Sequence, residues 1–63
     1  MNLKDLRKLK NVTQTEIAKS LGIKQSSVAM WESGASRPQT KDLRKIADVL
    51  GVSVEQLLDC FEK

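Results

Sequence analysis

Three observations predict an all-α chain of five short helices. Apolar residues recur at three- and four-residue spacing throughout, no alternating run of β-branched residues occurs, and glycines and hydroxyl residues fall where helices stop and start. At 63 residues the chain has the length of one domain, residues 1–63. Folded chains of this size bury only about 60% of the surface their unfolded form exposes. The core must therefore be assembled from a few apolar residues on each helix.

The first helix is predicted over residues 2–11, with Asn2 as N-cap and Leu3, Leu6 and Leu9 along one side. Thr13, followed by Glu16, has the form of a capping box and starts the second helix. That helix carries Ile17, Ala18 and Leu21 inward and ends at Gly22, where a left-handed backbone costs glycine little. Val28 and Trp31 place a third helix from Lys24 or Gln25 to Ser33, stopped by Gly34. Residues 33–39 gather Gly, Ser and Pro into the one real loop. Thr40 is expected to cap a fourth helix with Leu43, Ile46, Ala47 and Leu50 on a core-facing stripe. After Gly51, Ser53 and Gln56 form a second capping box, and Val54, Leu57, Leu58 and Phe61 repeat the stripe in a fifth helix.

Composition narrows the chemistry. The chain has no histidine and a single cysteine, Cys60, so neither an internal disulfide nor a zinc site can be built, and no metal or other cofactor is expected. Cys60 lies near Asp59 and Glu62, which disfavour a thiolate, and reads as an inert, partly buried side chain. Without histidine, and with little length for a walled pocket, an enzyme is not expected. No apolar run approaches the roughly 20 residues of a membrane span, and the amino terminus has no apolar signal-peptide core, so a cytoplasmic location is expected. Net charge is +3, distributed as +6 over residues 1–45 and −3 over residues 46–63. A basic front of this kind suits contact with a polyanion.

Residues 14–33 meet the physical requirements of a helix-turn-helix. Ala18 is small where two crossing helices approach closely, Gly22 takes the turn, and Ile17, Leu21, Ile23, Val28 and Trp31 pin the second of these helices to the first. Lys24, Gln25, Ser26 and Ser27 are left outward at the start of the third helix, the end that enters a major groove in such motifs.

On these residues the chain resembles the Cro and phage-repressor type of helix-turn-helix regulator, the xenobiotic-response-element family. The resemblance is carried by Thr13-Gln14-x-Glu16-Ile17-Ala18, Gly22-Ile23, Ser27-Val28-x-x-Trp31-Glu32-x-Gly34, Arg37-Pro38 and Leu43-x-x-Ile46-Ala47-x-x-Leu50-Gly51-Val52-Ser53. It implies a lambda-repressor-like five-helix domain that binds operator DNA, often as a two-fold dimer, with the third helix reading bases.

Position by position, the resemblance makes Gln14 a backbone contact that braces Gln25. Gln25 becomes the leading base reader, since a glutamine amide can pair with adenine N6 and N7. Ser26, Ala29 and Met30 take the other groove-facing positions, and Lys24 sits at the helix entrance. Ala29 and Met30 depart from the polar pattern and are expected to touch thymine methyl groups, with a modest specificity ratio. Phosphate contacts are expected from Lys10, Thr13, Gln14, Ser27, Arg37, Thr40 and Lys41. Arg7 and Glu32 match a pair that forms a structural ion pair in family members. Trp31 reads as core rather than a base-stacking platform, and Lys4, Lys8, Lys19, Arg44 and Lys45 as solvated surface.

Expected partners are therefore double-stranded DNA carrying an inverted repeat and a second copy of the chain, paired through the fifth helix, with no membrane and no small-molecule effector. The alternative is an antitoxin-like or accessory module whose acidic fifth helix binds a protein, with DNA binding secondary.

Overall fold

The computed structural model describes residues 2–61. Five helices follow in order: α1 (Leu3–Leu9), α2 (Gln14–Leu21), α3 (Gln25–Ser33), α4 (Thr40–Leu50) and α5 (Val54–Asp59). No strand occurs among the described residues.

Local side-chain chemistry sets most of the helix starts. Asn2 Oδ1 accepts the Asp5 N–H at 2.8 Å, and Thr13 Oγ1 accepts the Glu16 N–H at 3.1 Å. The Thr13 N–H does not donate in return to the Glu16 carboxylate, so that box is half made and the carboxylate stays exposed. The Ser53–Gln56 box is complete, with bonds of 3.1 and 3.2 Å. At α4 the expectation fails by one residue. Gln39 is the cap and Thr40 the first helical residue, because the Asp42 carboxylate, three residues on, accepts the Gln39 N–H at 3.3 Å.

Helix α1 is shorter than its apolar pattern suggests. Asn11 adopts a left-handed φ of 60°, and the Val12 N–H bonds back to the Arg7 carbonyl at 3.0 Å, which turns the chain towards α2. Leu9, expected inward, is 67% exposed. At 100° per residue it lies about 120° round the helix from Leu3, outside the arc that reaches the core.

The core is built from Leu3, Leu6, Ile17, Ala18, Val28, Trp31, Leu43, Ile46, Ala47, Leu50 and Leu57. Ile17, Val28, Ile46 and Leu57 are wholly removed from water, and each contributes about 1.5–3 kcal/mol of burial. Leu21 and Ile23 are half-buried at its edge. In α5 only Leu57 is fully buried; Val54 and Leu58 are half-buried, and Phe61 packs from beyond the last helical residue, because a six-residue helix can bury only one edge.

The turn between α2 and α3 fixes the relation of those helices. Gly22 takes φ 69°, and the Ile23 N–H reaches back to the Ala18 carbonyl at 3.0 Å, closing the end of α2. Ala18 itself is buried, and Val28 and Trp31 of α3 are buried in the same core.

Candidate nucleic-acid interface

Nine residues make α3, and their burial divides it cleanly. Val28 and Trp31 are buried, Ser27 and Glu32 half-buried, and Gln25, Ser26, Ala29, Met30 and Ser33 exposed on one face. Four of the five expected base readers lie on that face, and the fifth, Lys24, is the exposed N-cap residue. Ser33 also belongs to the face, although the sequence reading did not single it out; its spacing of four from Ala29 was the available signal. No side chain caps α3, which leaves the positive end of the helix open to an anion.

Behind this face runs a chain of hydrogen bonds. Arg7 Nε donates to Glu32 Oε2 at 2.7 Å, and Arg7 Nη1 donates to the Val12 carbonyl at 3.0 Å. Gln14 Nε2 donates to Glu32 Oε1 at 3.0 Å. Gln25 Nε2 in turn donates to Gln14 Oε1 at 3.2 Å. The Arg7 and Glu32 side chains are only 12% and 6% exposed, so the ion pair that the resemblance implied is largely withdrawn from water.

The donors and acceptors leave this chain one direction. Glu32 can only accept, so the nitrogen of the Gln14 amide must face it and the Gln14 oxygen must face Gln25. Gln25 must then present its nitrogen to Gln14. Its oxygen and its second N–H remain free, the acceptor-and-donor pair that adenine N6 and N7 require.

Burial raises the Glu32 pKa, but hydrogen bonds from Arg7 and Gln14, together with the Arg7 charge, outweigh it and hold the carboxyl below its ordinary value. Glu32 therefore remains an acceptor for both partners at neutral pH. The role of Glu32 as a joint for Gln14 was not legible in the sequence, since the two residues lie 18 positions apart.

The expected phosphate contacts are spread along the chain from the end of α1 to the start of α4. Thr13 is exposed, and its hydroxyl accepts within the cap while its own hydrogen stays free. Gln14 and Ser27 are half-buried; Lys10, Arg37, Thr40 and Lys41 are exposed. Arg37 has an interaction that the sequence did not suggest: its guanidinium lies 5.9 Å from the centroid of the Phe61 ring. A shallow cleft of about 250 Å³ opens beside this pair, lined in part by Trp31, Glu32 and Cys60. Cys60 is half-buried there, and burial pushes its thiol pKa up, away from the reactive thiolate.

No helix of the described residues is long and apolar enough to cross a membrane. Comparison with known proteins gives a consistent result. A helix-turn-helix family profile matches residues 3–57. The chain is 40% identical over 55 residues to the cryptic phage CTXphi transcriptional repressor RstR of Vibrio cholerae serotype O1, covering 87% of this chain and 49% of that protein. It is 38% identical over 55 residues to the ImmF control region 10 kDa protein of Bacillus phage phi105, covering 87% of this chain and 61% of the relative. It is 34% identical over 56 residues to the HTH-type transcriptional activator BcrR of Enterococcus faecalis, covering 89% of this chain but 28% of the relative. The chain thus spans less than two thirds of each of these three relatives. No solved structure gives a significant match.

Proposed function

The chain belongs to the helix-turn-helix family of Cro/C1 type, and from that premise we propose that it regulates transcription by sequence-specific occupancy of operator DNA, with α3 in the major groove. The observation that carries this reading is the contact between Gln14 and Gln25, which holds a base-reading amide at the start of α3 with its free acceptor and donor outward. Bases are read by Lys24, Gln25, Ser26, Ala29 and Met30. Register is set by phosphate contacts from Lys10, Thr13, Gln14, Ser27, Arg37, Thr40 and Lys41. The mechanism is occupancy, with no catalytic step.

The longest dimension of the described residues is 25 Å, about seven base pairs at 3.4 Å per step, which is one half-site. Two copies related by a two-fold axis and paired through α5 place their third helices about 34 Å apart, so the operator is an inverted repeat. Both a repressor and an activator occur among the relatives, and repression by occupancy is the direction proposed here.

Selection from randomised duplex DNA at near-physiological salt tests this function. Enrichment of an inverted repeat with half-sites one helical turn apart is expected, with affinity falling steeply as salt rises. Folded protein that enriches no sequence would overturn the reading and favour a protein-binding module.

A further inference from the structure

The outward face of α3 is uncharged. Gln25, Ser26, Ala29, Met30 and Ser33 make it up, and Met30 is left 46% exposed although the inward packing of the helix is supplied by Val28 and Trp31. An exposed methionine alone is ordinary surface. Here it stands beside a second apolar residue, Ala29, on the same face as an amide whose orientation is fixed from behind. Ala29 offers no polar side-chain atom, and the Met30 thioether is only a weak acceptor. Ser26 and Ser33 flank them with hydroxyls that can either donate or accept, so they do not select between a carbonyl and an amino group.

From these residues we infer that Ala29 and Met30 form a subsite for the C5-methyl group of a pyrimidine, whether thymine or 5-methylcytosine. The inference rests on the proposal that α3 faces the major groove. Thymine and 5-methylcytosine carry the same methyl group there and differ at C4, where one has an oxygen acceptor and the other an amino donor. A surface without a strong donor or acceptor is nearly blind to that difference but gains by covering the methyl. Unbranched and polarizable, the methionine side chain can settle over the methyl wherever the backbone path places it. Burying one methyl corresponds to about a four-fold gain in affinity. Cytosine methylation therefore creates sites for this protein, and uracil in place of thymine weakens them.

The test uses a duplex obtained by the selection above and measures competition binding after single replacements. Each thymine of one half-site is exchanged in turn for deoxyuridine, and each T·A pair for 5-methylcytosine·G or C·G. At one or two positions the inference expects deoxyuridine and C·G to weaken binding about four-fold, and 5-methylcytosine·G to bind within two-fold of T·A. In the Met30→Ser protein, whose substitution is at an exposed side chain, the ratio between thymine and deoxyuridine at that position should fall towards one. A tightly bound duplex indifferent to every deoxyuridine overturns the methyl subsite and leaves the proposed function standing. Deoxyuridine sensitivity with 5-methylcytosine bound no better than cytosine overturns it too: deoxyuridine keeps O4, so the methyl would then count only on a thymine, beside that oxygen. Failure to select any duplex sinks the function itself, and the subsite with it.

Discussion

Gln14 and Gln25 meet side chain to side chain across the turn of the motif, with Gln25 Nε2 donating to Gln14 Oε1 at 3.2 Å. The other end of the Gln14 amide is held by Glu32 at 3.0 Å. The orientation of the outermost amide is thereby dictated from the interior: a buried acceptor fixes Gln14, and Gln14 fixes Gln25. Holding Gln25 in this way removes rotamer freedom in advance, which on the proposed reading lowers the entropic cost of meeting a base.

Gln14→Ala should therefore weaken base discrimination as well as affinity. The Gln25 side chain remains but loses its anchor, and the expected result is about a ten-fold loss of affinity for the selected duplex, matching one or two lost hydrogen bonds at about 0.5–1.5 kcal/mol each. The preference at the Gln25 base pair should relax at the same time. Competition binding against a duplex altered at that pair measures both effects; an unchanged preference would show that the brace is idle.

Arg7 and Glu32 should be unequal to a surface ion pair in their effect on stability. Removing either side chain strands the other where it is mostly out of water. Urea denaturation of Arg7→Ala or Glu32→Ala is expected to show a loss of about 3 kcal/mol, while the apolar double replacement Arg7→Met with Glu32→Leu should recover much of it. A loss below about 0.5 kcal/mol in both single variants would place the pair with ordinary exposed ones.

Acid should uncover the same pair. The folded-state pKa of Glu32 lies below its ordinary 4.5, so the carboxylate contributes stability that is fully present above pH 4.5 and is lost as pH falls through the folded value. Glu32→Gln cannot titrate at this site. The stability gap between the parent protein and Glu32→Gln is expected to be constant near neutrality and to narrow below pH 4.5. A gap that widened on acidification would reverse the sign of the assigned shift.

Gly22 isolates a backbone effect. A Cβ built there meets nothing within 4 Å, yet φ is 69°. Gly22→Ala should thus cost about 1–2 kcal/mol from the left-handed conformation alone. Equilibrium unfolding gives the number, and a neutral substitution would mean that the turn does not hold this backbone angle.

Arg37 should act on all DNA alike. Arg37→Ala is expected to weaken selected and unrelated duplexes by similar factors and to reduce the slope of log affinity against log salt by about one. A sequence-dependent effect would make Arg37 a base reader instead of a phosphate contact.

The five helices, the stops at Gly22 and Gly34, and the exposed polar start of α3 were legible in the sequence, since periodicity and capping act between residues a few positions apart. The same locality explains where it misled. Leu9 satisfied the helical spacing but falls outside the arc that α1 turns towards the core. Thr40 had the right chemistry for a cap, yet the Asp42 carboxylate settled the start at Gln39. That Glu32 serves Gln14 as well as Arg7, and that Arg37 lies over Phe61, depends on how the helices dock. Those contacts join residues 18 or more positions apart. They exist because the helices dock at one distance and angle, and that geometry follows from how the whole core packs.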